Sequence, residues 1–472
     1  MENNDRLINL SKKTVLQIVG LLLGFMAVSI ILTYVIPGGE FGTLPDGSPD
    51  YTVYIRRDDL SGVPIWKGLL APFMVFFSSD GAALIVLSLF LVIVTGAFQI
   101  MLEVGGVNAL IGSISKRFSN HRRILIIAVS FFFYCLGAFL GQFENMLTLL
   151  PIVASLCVLL GYDSYTGFLC CIASTGFGFA TAITNPFTVI LASDIIDVNP
   201  MTNIWYRFII FFVVFLVLTG FIQLYANKII KNPQASYTYE NDEKLRQSSN
   251  KVVFEGDNEG RIKRVYSFFL VLAVAVVTVT ALIDSIRTYQ VVFLAVYFLI
   301  GGIIAGLMTC SDKKKVFKAF KTGIVSALPA ILLVAVAASV KYVFVEGQIM
   351  PSIVNQINEV TSGVNPIGVA FIVYLIILVL EFFISSSTAK AILVMSMLSV
   401  ANIGLSKTML VLLYTFADGY TNMLFPTSPV LLIALSMINI SYFKWIRKSL
   451  PLFVSVTLVV IASIVIGIKI GY

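Results

Sequence analysis

Apolar runs of roughly 18–25 residues dominate the chain, and short segments between them hold most of its charge. At about 1.5 Å of rise per residue, such a run is long enough to cross a hydrocarbon layer of about 30 Å as a helix. Composition closes the alternatives. Of 472 residues, 58% are hydrophobic and 12% charged, with a mean hydropathy of +0.94. A soluble domain carries about twice that charged fraction. The fold class implied is an all-α polytopic membrane protein, and a soluble enzyme is excluded. Cys135, Cys157, Cys170, Cys171 and Cys310 lie in or at the ends of apolar runs without CxxC spacing, which reads as small buried hydrophobes. His121 is the single histidine and sits in a loop beside Arg122 and Arg123, so no histidine-based metal centre can be assembled. No GxxxxGK(S/T) phosphate loop occurs, which removes an ATP-driven pump. The net charge of +7 falls in short loops beside the apolar runs, a placement that orients a chain in a membrane and does not indicate a nucleic-acid partner.

Orientation follows from the same charges. Arg6, Lys12 and Lys13 precede the first run, 15–36, which is too long for a removable signal and lacks a small-residue cleavage site. The excess of Lys and Arg on cytoplasmic loops therefore puts residues 1–14 in the cytoplasm. Carried along the chain, the rule places most of the 32 Lys and Arg inside and the C-terminus outside. Segments 231–264, 313–321 and 444–448 are then cytoplasmic, and 40–65 and 346–365 external. The run 66–78 is too short to span and is expected along the interface.

Two regions break this simple crossing pattern. Stretches 124–140 and 147–160 are short and meet at Gly141-Gln142-Phe143-Glu144-Asn145. In the second half, 366–384 meets 388–402 at Ser385-Ser386-Ser387-Thr388. Each pair is followed by an apolar run interrupted by a polar, proline-containing motif, Thr184-Asn185-Pro186-Phe187-Thr188 in one case and Asp418 to Pro429 in the other. Matching features lie about half the chain apart, an internal duplication of 15–230 and 290–472. The first hairpin, 122–160, starts from a cytoplasmic cluster, whereas the second, 366–402, follows an external loop. The linking run 265–283 supplies the odd crossing that inverts the second copy. The expectation is an inverted repeat with two re-entrant hairpins and two broken transmembrane helices, at 163–196 and 407–440. Interrupted segments at corresponding positions of inverted halves point to a transporter's binding site.

The chemistry of the interruptions fits that role. Pro186, Pro426 and Pro429 remove amide donors, and Gly419 tolerates a turn, so these residues are read as the helix breaks. The second arm of each hairpin and the second half of each broken helix begin at the membrane centre. Their N-terminal ends favour a carboxylate. Asn145, Thr184, Asn185, Thr188, Ser386, Ser387, Thr388, Thr421, Asn422, Thr427 and Ser428 supply polar side chains around the substrate. Carbonyls ending the first arms can hold a small cation, with candidate Na⁺ positions near Gly141, Asn185, Ser385 and Asn422. Na⁺ or H⁺ is the expected coupling ion, with no other cofactor. Glu144, Glu381, Lys390 and Asp418 are ionisable groups within the membrane and so candidates for function by default. Plainer roles are an ion pair stapling the second hairpin for Glu381 and Lys390, and a helix cap for Asp418. Three acids and one lysine suit a zwitterion, its carboxylate taken by Ser386, Ser387, Thr388 and Asn185 and its amine by Glu144 or Asp418.

Four motifs carry a resemblance: Tyr34-Val35-Ile36-Pro37-Gly38-Gly39-Glu40-Phe41, Gly161-Tyr162-Asp163-Ser164, Thr184 to Thr188, and Asp418-Gly419-Tyr420-Thr421-Asn422 running on to Pro426-Thr427-Ser428. Over about residues 15–470 the chain resembles the YfcC-like group, with the four-carbon-dicarboxylate anaerobic carriers and basic amino acid (arginine/ornithine) antiporters of the ion transporter superfamily. Many relatives carry paired acids at the first tip, where this chain has Phe143-Glu144-Asn145. Its second tip, with Ala389-Lys390 after Ser385 to Thr388, differs from the Ser-Asn-Thr tips of the dicarboxylate branch. The resemblance implies a bacterial inner-membrane homodimer with elevator-type movement. It implies a secondary transporter for an amino acid, basic in the arginine/ornithine case, or for a small carboxylate. A C4-dicarboxylate or other organic-anion symporter driven by Na⁺ or H⁺ is the alternative, and a channel a remoter one.

Overall fold

A computed structural model describes residues 12–45, 49–57, 62–78, 81–106, 109, 121–243, 258–287, 289–361, 363–383, 387–400 and 403–472. Helix α1 (Lys12–Val35) leads into strands β1 (Gly38–Thr43) and β2 (Pro49–Arg57), then α2 (Ile65–Met74) and α3 (Gly81–Glu103). Next come α4 (Arg122–Leu140), α5 (Leu150–Leu159), α6 (164–180, with a π turn at Leu169–Ala173), α7 (Pro186–Ile195) and α8 (Ile204–Lys231). The second half comprises α9 (Asn258–Leu282), α10 (Gln290–Thr309), α11 (Lys313–Glu346), α12 (Met350–Thr361), α13 (Pro366–Phe383) and α14 (Ser387–Val400). It closes with α15 (Lys407–Leu424), α16 (Pro429–Met437) and α17 (Tyr442–Lys469). Six helices among the described residues are long and apolar enough to cross a membrane.

The strand pair corrects the all-α expectation. β1 and β2 are antiparallel, with an irregularity between Phe41 and Gly42. The run Tyr51-Thr52-Val53-Tyr54-Ile55 is rich in β-formers and too short to span, and pairing with β1 satisfies its backbone. Arg57 closes the ribbon on Glu40 at 3.0 Å. The ribbon is held by α12 and the turn before it: Gly39 N donates to Gln348 O, and Ser352 links the Tyr54 hydroxyl at 2.8 Å to the carbonyl of Pro37 at 2.6 Å.

The helices form two groups. In one, α11 runs along α3 and also packs on α1 and α2, while α10 joins α3 to α9. In the other, α4 packs on α6, α13 on α15, α6 on α15, and α8 on α17. The packing is reciprocal between halves. The α1–α11 contact is answered by α10–α3, and α4–α6 by α13–α15.

The α6–α15 crossing depends on one absent side chain. A Cβ at Gly419 would lie 2.1 Å from Ala180 Cα and 2.2 Å from its nitrogen. Gly419 is not a break: α15 continues through it to Leu424, and the interruption falls at 425–428. Backbone approach between helices, rather than a turn, is what this glycine permits.

One end of the molecule is closed by residues 232–243. Asp163 caps α6, accepting from Thr166 N at 2.8 Å, and also accepts from Ser236 at 2.7 Å and from the Tyr225 hydroxyl. Asp242 accepts from Ser164 N at 2.9 Å and Thr238 at 2.6 Å. Arg122 reaches Leu160 O at this end, and Lys444 reaches Tyr237 O. At the other end, Lys407 donates to Asp197 O, and α14 packs on both β2 and Leu191–Ile195. α13 starts beside α12, which lies on the ribbon.

Two predictions follow from these contacts. Gly419→Ala forces backbone apart and should cost about 1–3 kcal/mol by overpacking, lowering the melting midpoint of the detergent-solubilised protein. Gly220→Ala, with nothing within 4 Å of the added carbon, should leave the midpoint within error. The second concerns Asp242, whose carboxyl burial pushes up to about 6 from 3.8, the nearby Asp163 charge adding to the effect against three hydrogen bonds. Folding therefore takes up a proton between those values. The stabilisation is full below about pH 4 and is lost as pH rises through 6, a change of about 3 kcal/mol. Melting curves from pH 4 to 7 should show this decline in the wild type and its absence in Asp242→Asn.

Candidate functional site

The second-half site is an ion cluster. Tyr414 and Asp418, four residues apart on α15, share a face. The Lys390 ammonium, on α14, lies between the carboxylates of Glu381 on α13 and Asp418, with 2.6 Å from Nζ to Asp418 Oδ1. Lys390 and Asp418 are fully buried and Glu381 nearly so. Ser387 donates to the other Asp418 oxygen at 2.9 Å, Tyr414 donates to the Ser387 carbonyl, and the Tyr414 ring centroid is 6.0 Å from Nζ. The structure thus brings Ser387, Lys390 and Asp418 together with Glu381. The staple across the hairpin extends to a third helix. Ser385 and Ser386, with the side chain of Thr388, lie outside the described residues.

The first-half site is built on a helix break. Ile183 and Thr184 both donate to Ala138 O, and the Thr184 hydroxyl to Phe139 O at 3.2 Å, so the end of α4 supports the turn between α6 and α7. Gly141 ends α4 with φ +65°, the left-handed region that favours glycine, and a Cβ there would lie 2.4 Å from Asn185 Oδ1. Asn185 caps α7 by accepting from Phe187 N at 2.9 Å, and Pro186 opens that helix with a π turn. Asn185 and Thr188 are both fully buried, yet Asn185 Nδ2 and Thr188 Oγ1 have no hydrogen-bond partner. The Pro186–Ile190 turn packs against α14 and α15, the helices that carry Lys390 and Asp418.

The first tip is organised by amides. Gln142 and Gln290 exchange hydrogen bonds at 3.1 and 3.0 Å, tying the tip to the start of α10, and Asn145 donates to Gln142 at 2.6 Å. Glu144 is exposed between buried Phe143 and Asn145. Among the described residues no ion pair joins it to Lys390. Of the remaining candidates, Thr421 bonds back to Ala417 O at 2.9 Å, Asn422 is half-buried, and Thr427 is buried at the second break. Ser428 caps α16, which Pro429 opens after Pro426. The break's carbonyls are taken by α17, with the Trp445 indole on Met423 O and the Tyr442 hydroxyl on Leu424 O, both at 2.8 Å.

Sequence reasoning missed Tyr414, Gln290, Tyr442 and Trp445, and gave Gln142 no role beyond its place in the first polar joint. A glutamine at the mouth of an apolar run was the available signal for Gln290. The two α17 aromatics, lying 18 and 22 residues from their acceptors, gave none.

The family described as DcuC, C4-dicarboxylate anaerobic carrier, matches residues 16–469. The chain belongs to this family. It is 26% identical over 399 residues to YfcC of Escherichia coli (strain K12), provisionally named a basic amino acid antiporter, covering 80% of this chain and 77% of that protein. An uncharacterised Haemophilus influenzae protein (strain ATCC 51907 / DSM 11121 / KW20 / Rd) is 24% identical over 371 residues, covering 77% and 71%. Among solved structures, the Alcanivorax borkumensis YdaH transporter aligns with a TM-score of 0.44 and 16% identity, over 96% of this chain and 99% of that one. The protein is a multi-pass membrane protein of a transporter family, with a small-molecule substrate.

The ion cluster generates a prediction of its own. Removing Lys390 leaves two buried carboxylates, whereas removing the Glu381 charge leaves a neutral Lys390–Asp418 pair. Lys390→Met should therefore destabilise by about 3–5 kcal/mol and Glu381→Gln by clearly less, read from melting midpoints in detergent.

Proposed function

We propose that the protein is a secondary transporter that exchanges amino acids across a bacterial cytoplasmic membrane, with its N-terminus inside. The observation that carries this reading is the pair of unpartnered donors, Asn185 Nδ2 and the Thr188 hydroxyl, both buried at the N-terminal turn of α7. Buried polar groups are left unpaired only at a cost, and a helix N-terminus with two such donors suits a carboxylate. With Asp418 held by Lys390 and Ser387, Glu144 is the exposed acid available to a substrate amine. The provisional naming of YfcC supports a basic amino acid.

Alternating access is supported by the two helix groups. α4 to α8 and α13 to α17 pack mainly among themselves, with α16 against α11 as the exception, and would move as a carrier against α1 to α3 and α9 to α11. The reciprocal packing supports an inverted repeat. The placement of the α4–α5 ends beside residues 223–243, and of α13 and α14 beside the ribbon, supports hairpins entering from opposite faces. A second reading, exchange of C4-dicarboxylates, is favoured by the family description.

Uptake into proteoliposomes tests these readings. Exchange should saturate and be stimulated by substrate on the opposite side; flux without either property would mean a channel. Loss of one hydrogen bond to a charged group costs about 1.5–3 kcal/mol, so Asn185→Ala should raise KM by about 10–100-fold. Glu144→Gln should depress lysine or arginine exchange and leave fumarate or succinate counter-flow untouched. If dicarboxylates exchange and amino acids do not, the second reading holds.

A further inference from the structure

Two carboxylates from different helices converge on one buried point in the second half of the chain, Glu381 from α13 and Asp418 from α15. Like charges brought so close, out of water, need a cation at their focus. In a carrier coupled to a metal cation, that focus is where a free ion would bind. Here it is filled by an ammonium that belongs to the protein. The Lys390 ammonium is a compact charge with three donors and no acceptor, and two carboxylates and the Tyr414 ring surround it. Asp418 is oriented by Ser387, and the Ser387 carbonyl is fixed in turn by Tyr414, so the arrangement is built rather than incidental.

We propose that Lys390 is a resident counter-cation: its tethered ammonium occupies the Glu381–Asp418 locus through the transport cycle, so that the site has its cation without taking sodium. The inference rests on the transporter reading and deepens it by assigning the cation half of the site. On α11, Lys341 is near enough to act electrostatically on Lys390. The α7 turn packed on α14 and α15, Pro186–Ile190, carries no charged residue, and from α15 the Tyr414 phenol also faces Lys390. A cation bound covalently to α14 cannot be released with the substrate. It returns with the carrier, so no sodium ion is carried with the substrate at this locus.

The experiment compares exchange in proteoliposomes bathed in sodium chloride, choline chloride or methylammonium chloride. Wild-type rates in sodium and choline should agree within twofold. Lys390→Ala, which removes the tether and leaves space at the focus, should lose at least tenfold in choline and regain most of that loss in sodium or methylammonium. Wild-type exchange that requires sodium overturns the proposal, as does a folded Lys390→Ala protein that is equally active, or equally inert, in all three media. If that variant does not fold, the wild-type comparison alone decides. Absence of wild-type exchange in every medium would instead defeat the transporter reading.

Discussion

An apolar interior gives a broken helix nowhere to put its free peptide groups, and the fold is arranged around that constraint. Each unpaired group in hydrocarbon costs several kcal/mol, so a break survives only where other protein groups reach it. At the first break, Ala138 and Phe139 at the end of α4 accept from Ile183, Thr184 and the Thr184 hydroxyl. At the second, Trp445 and Tyr442 of α17 donate to Met423 and Leu424. The same task is met by the preceding helix α4 at one break and by the following helix α17 at the other. At the first break two buried side-chain groups, Asn185 Nδ2 and Thr188 Oγ1, are left without a partner.

The two halves are joined where their chemistry matters. Gly419 lets α15 meet α6 at backbone distance, which draws Asp418, the preceding residue, toward the centre. The π turn at Pro186 rests on α14 and α15 and so adjoins the Lys390 cluster. A buried ion triad is poor evidence of stability, because desolvation offsets most of the attraction. Its value lies in position: Lys390 meets both carboxylates only when α13, α14 and α15 are all in place.

Much of this was legible in the sequence, and the rest failed for identifiable reasons. Apolar run lengths and the paired polar interruptions locate the helices and their breaks, because hydrocarbon thickness and proline chemistry are local constraints. Lys390 and Asp418 stood out because intramembrane charge is rare. That they pair with each other was not readable, since 28 residues and two further helix ends separate them. Gly419 was misread as a turn because a glycine needed for close approach looks the same in sequence as one needed for a positive φ. The ribbon at 38–57 was missed because attention to spanning runs treats everything between them as loop. Asp163 and Asp242, which close one end, belong to segments the apolar pattern does not describe.

The central claim is that two hairpins each turn back within the membrane, entering from opposite faces. In a chain whose five native cysteines are replaced by serine or alanine, single cysteines at both ends of each hairpin, His121→Cys and Leu159→Cys for the first and Asn365→Cys and Leu405→Cys for the second, test it by labelling with a membrane-impermeant thiol reagent in oriented vesicles. The account predicts that 121 and 159 react from one side and 365 and 405 from the other, and that tip cysteines, Glu144→Cys and Ser387→Cys, do not react from the face opposite their own hairpin's ends; reaction there would mean two complete crossings. Reaction of the two ends of either hairpin from opposite sides would contradict it.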